Sequence, residues 1–205
     1  DFTGIIPRNL MEHYLFKPFE LYKNPNNYTN HFFGPEQMLS FCIGNRFKKT
    51  DYLIKLKRDQ DDFLITSVAR IIPYKGHGYL IDVANELVKK SNKFKFLIVG
   101  DTLPSYASYE KSVKQKVKDL GLEDQIKFLG FREDVSSILK QSDLFIHPAI
   151  APDPLPTVLF ESLHNDLPSM ATNLGGAIEI LDNGNNGLLI PYNNPKKAAN
   201  LINEY

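Results

Sequence analysis

The chain has 205 residues, with 24 basic and 24 acidic side chains, and 42% of it is hydrophobic. A formal net charge of +0 excludes a global attraction to nucleic acid, so no nucleic-acid partner is expected. Cys42 is the only cysteine, which excludes an intrachain disulfide and a cysteine-rich zinc site and suits a reducing cytoplasm; no apolar run reaches the ~18 residues of a membrane span.

Residues 1–62 read as an irregular, aromatic-rich N-terminal extension or the remnant of an interdomain region. Half of the chain's 24 Phe and Tyr residues fall within the first 63 positions, among asparagines and prolines and without sustained periodicity. Asn24-Pro25-Asn26-Asn27 and Gly34-Pro35 are turn signals. Arg46, Lys48, Lys49, Lys55, Lys57 and Arg58 form a basic cluster opposed only by Asp51. A solvated surface is its plain meaning. Peripheral attraction to anionic lipid, at ~1 kcal/mol per basic residue, is the sharper one, and would place the protein at the inner face of a membrane. The opening at Asp1 and a helical pattern running to Tyr205 lead us to expect a piece of a longer polypeptide.

From Phe63 the texture changes. Phe63–Val68 is a short β-rich run, followed by Leu80, Val83, Ala84, Leu87 and Val88 at helical spacing. Phe94–Val99 is the next strand, stopped by Gly100; Val113, Val117 and Leu120 line a lysine-rich helix that Gly121 caps. Strand 126–129 precedes Gly130 and a short helix marked by Val135, Ile138 and Leu139. Strand 144–146 leads to a helix after Pro156, and a weak strand at 167–171 leads to a glycine turn and a helix near Ile178 and Leu181. Residues 187–190 close the series before a final helix. Short apolar strands alternating with amphipathic helices predict an α/β fold, a doubly wound parallel sheet of about six strands covered on both faces. Such sheets bind ligands beyond the carboxyl ends of their strands.

The residues able to carry chemistry gather after those strands. Arg70 and Lys75 lie just past the first one, and Gly76-His77-Gly78 opens a helix whose amides would favour phosphate oxygens. Arginine offers a fork of donors and lysine a mobile point charge, so the pair suits a departing diphosphate. Gly130 and Phe131 offer a backbone approach and an aromatic edge to a base. Asp153 stands between Pro152 and Pro154, which stiffen its backbone; by itself it is a routine turn residue. Glu161 falls in the first turns of the helix after Pro156. It is expected to point to the strand ends, where a carboxylate accepts hydrogen bonds from adjacent hydroxyls; a helix-dipole partner worth ~0.3–1 kcal/mol is the plainer reading. Gly175-Gly176 permits close backbone approach. His77, His147 and His164 show no metal-ligand spacing, and core or loop roles are expected for each.

Residues 63–205 resemble the carboxy-terminal, donor-binding domain of retaining glycosyltransferases of family 4, which have the two-domain GT-B fold. The matching pieces run in the family's order: Val68-Ala69-Arg70 with Lys75-Gly76, Phe128-Leu129-Gly130, Asp143 through Pro148, and Asp153 through Glu161. Leu167-Pro168, Gly175-Gly176, Glu179, Gly184 and Gly187 through Pro191 complete it. The resemblance implies that Arg70 and Lys75 hold the donor diphosphate. It places Glu161 as the second glutamate of an E-x7-E motif at the ribose, and Asp153 as the first, near the donor sugar. Leu155, Pro156, Thr157 and Val158 match the segment that approaches the phosphates and sugar, and Phe131 a position near the base. Aspartate in place of the first glutamate is one methylene shorter. The implied reaction is retaining transfer of a hexosyl group from a nucleotide diphosphate sugar to a saccharide or lipid-linked acceptor, with no cofactor and no metal. The acceptor-binding domain of the family has no counterpart in this sequence, so the chain is expected to be a donor-binding half, inactive alone. The competing reading is a non-catalytic nucleotide-sugar binding module.

Overall fold

A computed structural model describes residues 59–205, which belong to one compact unit, Asp51–Tyr205. The aromatic-rich extension up to residue 58, the basic cluster and Cys42 lie outside the described residues.

Six parallel strands form one sheet: β1 (Phe63–Val68), β2 (Phe94–Val99), β3 (Ile126–Gly130), β4 (Leu144–His147), β5 (Ser169–Thr172) and β6 (Leu188–Ile190), in the order β3-β2-β1-β4-β5-β6. Each connection carries a helix: α1 (His77–Val88), α2 (Ala107–Asp119), α3 (Val135–Leu139), α4 (Thr157–His164) and α5 (Ala177–Ile180). The last helix, α6 (Pro195–Glu204), follows β6. The doubly wound sheet expected from the alternating pattern is therefore present, with the strand order of a Rossmann-like fold.

Strand alternation sorts the core. Ile65, Phe94, Phe96, Ile98, Leu144 and Ile146 face the layer of α1, α2 and α6, where Leu80, Val83, Leu87, Val113, Val117 and Ile202 meet them. Leu64, Leu97 and Val99 point the other way, onto Ile138 of α3. Each such apolar side chain contributes ~1.5–3 kcal/mol when fully buried, so both layers are held by the sheet between them. Leu120, expected in the α2 stripe, is instead 38% exposed, because the helix ends at Asp119. Gly121, at φ 66°, turns the chain back, with Gly121 N–H donating to Lys118 and Leu122 N–H to Val117. Buried Leu122 takes the place in the core that Leu120 leaves.

The order of the strands reverses between β1 and β4. They pair only at Ile65↔Leu144 and Thr66↔Phe145, although β1 runs on to Val68 and β4 to His147. Beyond that pairing the ladder between the two strands stops, and the helices that follow them, α1 and α4, pack on opposite faces of the sheet. This is the crevice in which open α/β sheets hold ligands.

Candidate functional site

The β1–α1 loop enters the crevice first. Arg70 is exposed directly after β1, and no described residue forms an ion pair with it. The chain then makes a short 3-10 turn over Pro73–Lys75, closed by Gly76 at φ 75°. A Cβ on Gly76 would lie 1.8 Å from the Pro148 carbonyl oxygen, and Ile150 N–H donates to the Tyr74 carbonyl at 3.0 Å. The exits of β1 and β4 are thus locked together by backbone contact, and Lys75 is aimed at the β4–α4 loop.

There it meets Asp153. The Lys75 ammonium donates to Asp153 Oδ2, and their side chains are only 19% and 15% exposed. Asp153 is gripped from its other side by the Gly175-Gly176 turn. Gly176 N–H donates to the Asp153 carbonyl at 2.9 Å, and a Cβ on Gly176 would lie 2.1 Å from the Pro154 carbonyl oxygen. The close approach expected of that glycine pair is made against this loop. Two residues 78 positions apart in sequence therefore share one charge contact at the reversal of the strand order.

The remaining expected residues lie on α4 and the loop before it, and at the end of β3. Pro156 precedes α4, and no side chain caps its first turn, so the Thr157 and Val158 amides remain for an anion. Thr157 is exposed, Leu155 and Val158 are half-buried, and Pro156 is buried. Glu161, in the second turn of α4, is 6% exposed, with Leu159, Phe160 and Ser162 buried around it. Leu163, in the same turn, is half-buried. Gly130 ends β3 at φ 67°, with open space where a Cβ would stand, and Phe131 beside it is 71% exposed. Arg132 turns away from them to a two-pronged contact with Asp134, at 2.8 Å on each prong.

One point differs from the sequence reading. The first turn of α1 is not an open anion site: Gly76 and His77 are buried, and Tyr109 hydrogen-bonds with the Gly78 backbone. His77 and His147 take the core roles expected of them, with both side chains buried and His147 next to Asp153 of the charge pair. Both His77 ring nitrogens and His147 Nε2 lack hydrogen-bond partners among the described residues. His147 Nε2 lies 3.5 Å from Asp153 Oδ2, the oxygen that Lys75 holds. The signal was available: His77 follows Lys75-Gly76 directly, and His147 ends the strand next to β1.

Burial, reinforced by the Lys75 ammonium, pushes both histidines down to about 4; the His147 charge also opposes protonation of His77, while Asp153 works in the opposite direction on His147. Both are therefore neutral at pH 7. A folded pKa below the unfolded 6.5 means that the unfolded chain takes up protons first as pH falls. The stability is full above 6.5 and drains between 6.5 and about 4. From pH 7 to pH 5 one such histidine should cost about 2 kcal/mol. Thermal melts of His77→Leu should show a shallower loss over that interval than the unaltered chain; parallel curves would show that His77 is protonated in the fold.

A family model described as glycosyl transferases group 1 matches residues 48–205. The amylovoran biosynthesis glycosyltransferase AmsK of Erwinia amylovora is 27% identical over 67% of this chain and 34% of its own length. The UDP-Gal:alpha-D-GlcNAc-diphosphoundecaprenol alpha-1,3-galactosyltransferase of Escherichia coli is 28% identical over 77% of this chain and 40% of its own length. Among solved structures, Anabaena Alr3699/HepE in complex with UDP-glucose superposes with a TM-score of 0.66 and 34% identity, over 70% of this chain and 38% of that one. The chain thus spans well under half the length of these relatives. No helix among the described residues is long and apolar enough to cross a membrane.

Proposed function

This chain belongs to the group 1 glycosyl transferases, and we propose that its described domain binds a nucleoside diphosphate hexose in the crevice between β1 and β4. The donor is a uridine diphosphate sugar, the hexosyl group passes to a saccharide or lipid-linked acceptor, and the anomeric configuration is retained. The observation that carries this reading is the meeting of Lys75 and Asp153 at the reversal of the strand order, with Arg70 exposed on the same loop. The UDP-glucose bound by Alr3699/HepE and the UDP-Gal of the Escherichia coli relative support the uridine donor.

Breaking the bond from sugar to diphosphate leaves an electron pair on a phosphate oxygen and positive charge on the ring. Arg70, Lys75 and the first-turn amides of α4 stabilise the phosphate charge, oriented in advance so that little reorganisation accompanies the reaction. Asp153 faces the sugar, Glu161 the ribose hydroxyls, and Phe131 the base beside Gly130. Acceptor recognition belongs to an amino-terminal domain that completes the enzyme. A lipid-linked acceptor would draw it to a membrane surface, where the basic cluster at residues 46–58 meets anionic headgroups.

Calorimetric titration of uridine, guanosine and adenosine diphosphate sugars tests the donor assignment, with the uridine sugar expected to bind tightest. Heat from none of the three would remove the reading. Release of UDP by the full-length protein in the presence of acceptor separates an enzyme from a pure binding module, which releases none.

A further inference from the structure

Buried His147 and the partly buried Lys75 and Asp153 share one corner of the crevice, and the reading above uses the last two. Lys75 and His147 both address Asp153 Oδ2, Lys75 through a direct ion pair and His147 from 3.5 Å, without a hydrogen bond. The Asp153 backbone cannot move out to water, because the Gly175-Gly176 turn packs against its main-chain atoms within 2.5–2.7 Å of where a Cβ would stand. The side chain is 15% exposed. A carboxylate in such a place is strongly penalised when its cation leaves. Yet the donor site requires that Lys75 turn from the carboxylate to a diphosphate.

We propose that His147 is a positioning residue that takes over the Asp153 carboxylate, through its Nε2–H, when a donor diphosphate draws Lys75 away. The inference rests on the donor-site reading given above. His147 is suited to the task because it is 2% exposed at the end of β4, fixed by the strand, with the relevant nitrogen not engaged by any other described residue. Asp153 thereby acts as an internal anion that occupies Lys75 until the diphosphate competes for it, and His147 lowers the cost of the exchange.

A double-mutant cycle read by calorimetric titration of UDP tests this. His147→Leu should weaken UDP binding about tenfold, since Lys75 can leave Asp153 only by stranding it. His147→Gln, which keeps a donor near the same position, should stay within about threefold of the unaltered chain. Asp153→Asn should bind UDP several-fold more tightly, because Lys75 is no longer engaged. In the Asp153→Asn background, His147→Leu should cost less than about twofold. If His147→Leu does not fold, His147→Asn, whose amide is too short to reach the carboxylate, takes its place in the cycle. Equal losses in both backgrounds, or no loss in either, overturn the positioning role while leaving the donor site standing. An unaltered chain that does not bind UDP overturns the donor site and this inference together.

Discussion

Lys75→Ala is expected to lower kcat of the full-length enzyme by about 10²–10³-fold, the cost typical of removing one preoriented electrostatic contact at a developing negative charge. The effect is large because Lys75 is not a surface lysine. Its side chain is 19% exposed, on a loop that Gly76 and Ile150 tie to the end of β4, so its charge works in a partly water-excluded site. Arg70→Ala should lose less, since Arg70 is exposed and screened by solvent. Steady-state kinetics with a uridine diphosphate hexose, alongside circular dichroism to verify folding, reads both values. A Lys75→Ala enzyme with unchanged kcat and KM would remove Lys75 from the diphosphate site.

Gly76→Ala should be among the most destabilising single substitutions in the domain, by about 2–5 kcal/mol. A left-handed φ costs an alanine ~1–2 kcal/mol, and overlap with packed backbone adds ~1–3 more. Both apply: φ is 75°, and the new Cβ would sit 1.8 Å from a backbone carbonyl oxygen that no rotamer change can move. Gly121→Ala is the internal control. Its φ is 66°, but nothing lies within 4 Å of the added carbon, so only the backbone cost of about 1–2 kcal/mol should appear. Urea unfolding of the two variants gives the comparison. Similar losses would show that the contact between the β1 and β4 exits is looser than described. Because that contact also aims Lys75, the Gly76→Ala protein should bind UDP poorly wherever it remains folded.

Much of this architecture was readable from residue patterns, because it follows from local periodicity. Alternating apolar strands and striped helices from Phe63 onward leave few options besides a doubly wound parallel sheet, and the bounds of β1 and β2 coincide with the expected ones. The candidate site was readable only in part. Lys75 and Asp153 could be named as charged residues after strands, but their direct pairing depends on how far two loops reach across the sheet. Glu161 was expected to point to the strand ends. The structure places it in the second turn of α4, 6% exposed beside buried Leu159, Phe160 and Ser162. The α1 amides looked available for phosphate, but Gly76 packs against Pro148 at the β4 exit and His77 is buried. His77 and His147 carried no motif spacing, since their importance lies in what surrounds them in three dimensions.

The central claim is that a nucleoside diphosphate lodges where β1 and β4 part, held by Lys75. A crystal structure of the chain with UDP tests it most directly. The account predicts a phosphate oxygen within hydrogen-bond distance of Lys75 Nζ, with Nζ withdrawn from Asp153 and the base beside Phe131. A nucleotide bound at any other edge of the sheet, or Lys75 still joined to Asp153 with UDP present, would contradict it.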